Sequence, residues 1–287
     1  MKNKERLSKL NFGKKSIYAV AVLSAAVIAF FLIRAVDFGR LDVSFYTKIS
    51  SKIEQDMRIV MVADLHSREF GEDNERLLEK IRSLAPDMIA VPGDLTNSGD
   101  DDHEVALNFL RGLTDIAPVY YSYGNHEYTD ILFNKESSLA NDIKNTGVHV
   151  VINSFETAEI KGNTIAVGGI CSGAANFGDN AERFLKTYVE EEPFKLLLCH
   201  HVEVFDECME NYPVDLALCG HAHGGQIRLP VIGGLYAPDQ GFFPEYTEGM
   251  QNLCGSDVII TRGLGNSSPV IRINNDPEIV VIDLKSY

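Results

Sequence analysis

The chain has 287 residues, 45% of them hydrophobic and 23% charged, a composition that suits one or two globular domains and excludes a disordered chain. Its formal net charge is -15, so a nucleic-acid backbone is not expected as its main partner, because phosphates repel an acidic surface. The five cysteines form no C-x-x-C pair, which argues against a thiolate metal site, and no disulfide follows from them.

The beginning of the chain predicts a membrane anchor. Residues 1–15 are rich in lysine, and residues 16–33 contain no charged side chain. A helix over this apolar run spans roughly 27 Å, close to the hydrocarbon thickness of a bilayer. The alternative, a cleaved signal peptide, has a shorter apolar centre and a small-x-small cleavage site. We predict a basic cytoplasmic tail (1–15), a transmembrane helix (16–34) and a catalytic domain on the extracytoplasmic side of the cell membrane.

After a linker over residues 35–56, short apolar runs alternate with helical patterns. Residues 59–63 and 88–91 resemble buried strands, and between them leucine and isoleucine recur at helical spacing until Pro86. This βαβ unit implies parallel strands with a right-handed crossover. Further strands are predicted at 119–123, 149–160, 163–170, 195–199, 214–219, 257–261 and 278–284, and further helices at 104–113, 138–144, 182–190 and 203–211. Residues 57–287 are thus predicted to form one α/β catalytic domain with two mixed sheets packed together and helices outside.

Polar clusters directly follow five of the predicted strands. Six of the eight histidines lie in these clusters, whereas His103 and His149 lie outside them and are expected to be surface or structural residues. The clusters are Asp64-Leu65-His66, Gly93-Asp94, Gly124-Asn125-His126-Glu127, His200-His201 and Gly220-His221-Ala222-His223. In open α/β sheets, ligands bind at the carboxyl ends of strands, so these distant residues could converge on one crevice.

The residue types in these clusters indicate a metal site. Carboxylates, imidazoles and one amide oxygen are suited to Mn, Fe, Zn or Mg. Asp94 is alone on its loop and can share its two oxygens between two ions. Seven or eight candidate ligands are too many for one ion and suit two, and two ions about 3.5–4 Å apart can hold a hydroxide and the oxygens of an in-line displacement.

In this order the motifs resemble those of the calcineurin-like metallophosphoesterases, over residues 57–285. The chain is also similar to a membrane-associated bacterial branch of predicted phosphodiesterases. That similarity rests on residues 220–227, which run into a loop rich in glycine and proline, and on the tail from Gly263 to Glu278.

The resemblance implies a four-layer αββα sandwich around a dinuclear site. One ion is then expected on Asp64, His66, Asp94 and His223, and the other on Asp94, Asn125, His200 and His221, with Asp94 bridging. His200 is preferred over His201 because the family uses the first of such a pair. His126 is implied as the proton donor to the leaving oxygen, while a hydroxide between the two divalent ions attacks phosphorus. Many relatives carry G-D-x-x-D, but Asn97 replaces the second aspartate here, which places any carboxylate role of that position in doubt.

The expected function is metal-dependent hydrolysis of a phosphoester, with a phosphodiester favoured. A phospholipid headgroup and a cell-wall polymer are both candidate substrates for an anchored enzyme. The loop from Gly233 to Gly249 contains enough apolar residues to touch lipid, although ordinary packing over the core is the simpler explanation. A phosphomonoesterase or protein phosphatase using the same site, and a non-catalytic metal-binding tethered domain, are the alternatives. The metal and the oligomeric state are left open.

Overall fold

Two six-stranded sheets form the centre of the molecule, in a computed structural model that describes residues 16–28, 40–100, 102–134, 137–171, 178–207, 209–267 and 272–287. The strands in chain order are β1 Asp42–Ser50, β2 Met57–Met61, β3 Met88–Val91, β4 Val119–Tyr121, β5 His149–Val150, β6 Ser154–Ile160, β7 Asn163–Ile170, β8 Phe194–Cys199, β9 Leu216–Cys219, β10 Arg228–Leu229, β11 Gly233–Gly234, β12 Tyr236–Ala237, β13 Gly241–Phe242, β14 Gly249–Leu253, β15 Ser256–Ile260 and β16 Glu278–Ser286. The four short strands β10 to β13 form two antiparallel hairpins outside the main sheets.

Both main sheets are mixed. The first has the order β1-β16-β2-β3-β4-β5, in which β2 to β5 run parallel, and β16 is antiparallel to β2 but parallel to β1. The second has the order β14-β15-β9-β8-β7-β6, in which β15, β9, β8 and β7 are parallel, with antiparallel strands at both edges. The predicted α/β fold with mixed sheets is confirmed.

Three apolar cores divide the domain into four layers. The helices are α1 at residues 16–28, α2 Glu75–Ser83, α3 Glu104–Thr114, α4 Asn125–Phe133, α5 Leu139–Asn145, α6 Asp179–Tyr188 and α7 Glu203–Glu207. The central core lies between the sheets and contains Met61 and Leu198, both fully buried. Outside the first sheet, α2 and α3 contribute buried residues such as Phe109, and outside the second, α6 and α7 contribute residues such as Leu185.

The segment predicted as a linker, residues 35–56, contains the nine-residue strand β1. This strand pairs with β16 from Asp42 opposite Glu278 to Ser50 opposite Ser286, so the folded domain begins before residue 57. The sequence pattern missed β1 because an edge strand buries little: its side chains alternate between half-buried and exposed, and no continuous apolar run marks it. Residues 35–39 lie outside the described part of the chain.

The predicted anchor is covered only in part by the described residues. Residues 16–28 form the exposed helix α1, while residues 1–15 and 29–34 lie outside what the structure describes. No helix within the described ranges is both long enough and apolar enough to cross a membrane.

Candidate metal centre

The five polar clusters meet at one edge of the sandwich, where strands of both sheets end. Asp64, Asp94 and Asn125 follow β2, β3 and β4 of the first sheet, and His200 and His221 follow β8 and β9 of the second. A hydrogen bond joins the ends of the two sheets: the backbone N–H of His221, which follows β9, donates to Asp64 Oδ1 at 3.0 Å. The parallel strands therefore bring residues from both halves of the chain to the same place.

Of four overlapping groups of donor atoms that could hold a metal ion at this edge, two consist entirely of predicted ligands. One consists of Asp64, His66 and His223, and the other of Asp94, His200 and His221, with the donor atoms of each group within 4.8 Å of one another. Asp94 lies between them: its Oδ2 is 3.0 Å from His200 Nε2 and 3.9 Å from His66 Nε2. A single carboxylate is thus within reach of both groups.

Several donor atoms here are buried without a hydrogen-bond partner among the described residues. They are Asp64 Oδ2, His66 Nε2, Asn125 Oδ1 and His200 Nε2, of which His200 Nε2 has the charged contact with Asp94 described above. Buried polar atoms in folded proteins are normally paired, so unpaired atoms of this kind need an explanation. All four are oxygen or imidazole nitrogen atoms, and a divalent cation satisfies such a set. The residues present therefore fit the metal ions that their types predict.

The outer ring nitrogens of two of these histidines are held by neighbouring oxygens. His66 Nδ1 lies 3.1 Å from Asn97 Oδ1, and His200 Nδ1 lies 2.7 Å from the carbonyl oxygen of Pro92. Oxygen acceptors at Nδ1 fix the tautomer that leaves the Nε2 lone pair free for a metal. Asn97, which departs from the family pattern, thus positions His66 through its amide oxygen.

Burial and charge set the protonation states of these histidines. Burial lowers the pKa of His66 to about 4 and that of His223 well below its usual value, so both rings are neutral at pH 7. Burial also acts to lower the pKa of His200, but the carboxylate of Asp94 outweighs it and raises that pKa to about 10. In return, the pKa of Asp94 lies well below its usual value, although burial alone raises it. A divalent cation held by Asp94 and His200 would replace the proton on His200.

Most of the predicted ligands have a left-handed backbone. The values of φ are 54° at Asp64, 50° at His66, 55° at Asp94, 67° at His221 and 47° at His223. Each such conformation costs a non-glycine residue roughly 1–3 kcal/mol and persists only where the surroundings impose it. Position 93 requires glycine for a related reason. Its φ is 96°, and a Cβ there would meet the backbone of Gly124. Strain of this kind concentrates at functional sites.

Glu127 holds two of the strand-end loops together, although the sequence analysis assigned it no role. Its side chain is fully buried and accepts four backbone N–H groups, from Asp94 and Gly124 on Oε2 and from Leu95 and Thr96 on Oε1, at 2.8–3.0 Å. In the sequence, the feature that could have indicated this role is the position of Glu127 directly after His126 in the motif. Glu127 therefore fixes the loop that carries Asp94.

We expect Glu127→Gln to lower the free energy of unfolding by about 3 kcal/mol, because the new amide turns a donor toward two buried N–H donors. Urea denaturation of the metal-free protein measures the change. Glu79→Gln is the matched control, since Glu79 is exposed on α2. Equal stability of the two variants contradicts the role given to Glu127.

Asp239 also belongs to the site, and no sequence signal pointed to it. It lies at the turn of the hairpin β12–β13, where its Oδ2 is 3.0 Å from His221 Nε2 and 3.9 Å from His201 Nε2. The hydrogen bond to His221 keeps the pKa of Asp239 below its usual value. His201, the second histidine of its pair, thus lies beside His221 and Asp239, whereas His200 lies beside Asp94.

We expect Asp239→Ala to weaken metal binding by about 10- to 100-fold, since a carboxylate beside a ligand histidine orients its ring. Asp239→Asn keeps one acceptor oxygen and should lose less. Competition with a chelator measures the affinity, and Glu245→Ala, in the same loop and exposed, is the control. An unchanged affinity in Asp239→Ala means that the carboxylate does not orient His221.

Arg272 also adjoins the site, and the two histidines outside the clusters have neighbours of their own. The guanidinium of Arg272 is buried, with Nη2 3.3 Å from His223 Nδ1, and burial lowers the pKa of Arg272 to about 9. No motif marked it in the sequence. His103 and His149 have structural neighbours, as expected: His103 precedes α3 and lies 3.7 Å from Asp130, and His149 stacks on Tyr120 with ring centroids 4.7 Å apart.

Comparisons of the sequence with known proteins identify the family of this chain. The family model of the calcineurin-like phosphoesterases matches residues 57–225. The uncharacterized metallophosphoesterase YkuE of Bacillus subtilis (strain 168) is 29% identical over 234 residues, which cover 80% of this chain and 79% of that protein. The phosphodiesterase YaeI of Escherichia coli (strain K12) is 28% identical over 240 residues, 79% of this chain and 82% of its own. The solved structure of TT1561 from Thermus thermophilus is 18% identical and covers 73% of this chain and 90% of its own, with a TM-score of 0.48.

Proposed function

Because this chain belongs to the calcineurin-like phosphoesterases and is a metal-dependent phosphoester hydrolase, we propose that it cleaves a phosphodiester at the edge where Asp64 and Asp94 meet the histidines of the second sheet. The observation that carries the proposal is the position of Asp94, within reach of two separate groups of metal donors. The name of YaeI, a phosphodiesterase, supports a diester as the substrate.

The proposed centre holds two divalent ions. One uses Asp64, His66, Asp94 and His223, and the other uses Asp94, Asn125, His200 and His221. When bound, such ions lower the pKa of water, orient a phosphoryl group and neutralise the charge that develops on it. A further contact positions the Asp94 side chain, because its Oδ1 accepts the backbone N–H of His126 at 2.9 Å.

His126 is the proposed proton donor to the leaving oxygen. Its Nε2 lies 4.0 Å from Asp94 Oδ2, beside the proposed ions, and its ring remains partly exposed. Its Nδ1 lies 2.8 Å from both the backbone N–H and the hydroxyl of Ser98. Because the backbone N–H of Ser98 donates to Nδ1, the proton of the neutral ring lies on Nε2, the nitrogen proposed to give its proton to the departing alkoxide.

A metal-supplemented assay of the detergent-solubilised full chain tests the function. It compares a chromogenic phosphodiester with the matching monoester under Mn, Mg, Zn and Fe. We expect chelator-sensitive cleavage of the diester. Faster cleavage of the monoester assigns a phosphomonoesterase to the same site. The absence of turnover by a protein that binds two ions per chain contradicts catalysis and favours a metal-binding domain.

The proposed location is the cell membrane, with residues 16–34 as a single-pass anchor and the catalytic domain on the extracytoplasmic side. The support is the uncharged run from 16 to 33 and the lysines before it. Extraction of membranes with alkaline carbonate tests the anchor, and protease digestion of intact spheroplasts tests the side. Release of the chain by carbonate, or its protection from protease, overturns the respective part of the proposal.

A further inference from the structure

An exposed apolar rim lies on the two short hairpins after β9. The rim consists of Val231 and Ile232, between β10 and β11, and of Tyr236, Phe242 and Phe243 on the hairpin β12–β13 and just after it. Phe242 is 72% exposed and Phe243 64%, and Val231 is fully exposed. Large apolar side chains that cluster on a surface mark a site of interaction more often than single ones do.

The rim is held in a fixed position. The rings of Tyr236 and Phe242 lie 5.4 Å apart, and the N–H of Phe243 donates to the carbonyl of Leu235 at 2.9 Å. Leu235 in turn donates to Gly225 at 3.1 Å, two residues after His223. These contacts connect the rim directly to the backbone that carries the proposed ligands.

The rim also adjoins the metal centre through a side chain. Asp239 lies at the turn of the hairpin whose strands carry Tyr236 and Phe242, and it reaches His221 Nε2 at 3.0 Å. One short hairpin therefore carries both the apolar side chains and the carboxylate that contacts the ligand histidine.

The chain enters the domain at this same edge. Asp42, the first residue of β1, pairs with Glu278, and Glu278 N–H donates to the carbonyl of Gly263 at 3.1 Å. The guanidinium of Arg262 lies 3.1 Å from Asp42, and a Cβ on Gly263 meets Asp64 at 2.6 Å. If residues 16–34 are in a bilayer, residues 35–41 can extend at most roughly 25 Å, which keeps this edge near the membrane surface.

The charges around the rim limit what it can contact. Asp239 and Glu245 are exposed acidic groups in the same loop, and Arg228 is paired with Glu248. The chain beyond residue 15 is strongly acidic as well. A nucleic acid, an acidic peptide or a strongly anionic membrane is repelled by such surroundings. Phe, Tyr, Val and Ile side chains on a rigid support suit the interface of a neutral or zwitterionic bilayer.

We propose that this apolar rim docks the metal centre onto the acyl region of a zwitterionic phospholipid bilayer, so that the substrate is a phosphodiester carried on a lipid. The inference rests on the proposed phosphodiesterase activity for the nature of the substrate, but the docking itself does not depend on turnover.

Single tryptophans test the docking in the full chain, because the natural sequence contains no tryptophan. Phe243→Trp places the reporter on the rim. Tyr287→Trp is the matched control, an exposed aromatic after the far end of β16, roughly 30 Å from Glu278 along the strand. Both variants are reconstituted in phosphatidylcholine vesicles with and without brominated acyl chains.

We expect brominated chains to quench the emission of Phe243→Trp by about half or more and to leave Tyr287→Trp unchanged, because bromine quenches only at contact. Equal quenching of both, or none in Phe243→Trp, overturns the docking. A concentration-dependent blue shift of Phe243→Trp without quenching also overturns it, since it assigns the rim to a second copy of the chain.

A kinetic comparison tests the substrate. The double variant Phe242→Ser/Phe243→Ser should lose about tenfold in the cleavage of vesicle phospholipid and keep its rate on a soluble chromogenic diester. Equal losses on both substrates contradict a docking role. Quenching without turnover of any diester by the natural sequence leaves the docking standing and refutes the proposed activity, so the two failures are distinguishable.

Discussion

Asp94→Ala should lose bound metal and turnover together, with a fall in rate of about 10³-fold or more, because the Asp94 carboxylate is within reach of both donor groups. Asp94 is 1% exposed, and its Oδ2 is 3.0 Å from His200 and 3.9 Å from His66. Without it, each group loses an anionic oxygen, and in the metal-free protein His200 loses the carboxylate that raises its pKa. Elemental analysis and the assay with the chromogenic diester measure the two losses.

Asp94→Asn removes the negative charge of this side chain and keeps its shape. Its amide oxygen can still accept the N–H of His126, so the loop is preserved while the bridging charge is removed. We expect this variant to fold and to bind less metal than the natural sequence. Asp115→Ala, an exposed aspartate at the end of α3, is the control for expression and folding. An Asp94→Asn protein with two ions per chain and full turnover contradicts the bridging assignment.

His126→Ala should keep its metal and lose rate in a way that depends on the leaving group. General acid catalysis typically contributes about 10²–10⁴-fold, and it matters most when the leaving oxygen is a poor one. A nitrophenolate departs without help, so its diester should be affected little, whereas an alkyl phosphodiester should show the full loss. The contrast between the two substrates is measured at equal metal content.

His149→Ala provides the control for the loss of an imidazole, because His149 is half-exposed and stacks on Tyr120 away from the donor groups. It should show neither the loss of rate nor the dependence on the leaving group. Equal turnover of the alkyl diester by His126→Ala and by the natural sequence removes His126 from the proton-donor role. A loss of metal in His126→Ala instead makes it a ligand.

The buried strands could be predicted because their sequences are continuous apolar runs. In the middle of a parallel sheet both faces are covered, so β3 and β8 bury every residue and the pattern marks them directly. The convergence of the site followed from the same fact, since the carboxyl ends of parallel strands share one edge. The family resemblance is confirmed by the match over residues 57–225, while the roles of the individual ligands remain predictions.

Other parts depend on neighbours that no local pattern encodes. β1 is an edge strand that exists through its pairing with β16, the last strand of the chain. The helix α4 begins at Asn125, inside a motif for which the sequence predicted site residues but no helix, because Glu127 binds the surrounding N–H groups. Asp239 reaches His221 only because two glycine-rich hairpins fold back over the site. Such contacts between distant segments cannot be inferred from spacing.

The position of β16 has a consequence for the order in which the molecule is made. This strand follows all the other described strands in sequence, yet it lies between β1 and β2 and pairs with both. Until it is in place, β1 lacks the partner that joins it to the first sheet in the described structure, and Glu278 is missing beside Arg262 and Gly263. During synthesis the first sheet therefore closes only after β16 has emerged. The edge that gathers both donor groups is completed at that moment, so we expect the chain to acquire its ions at the end of folding and not during it.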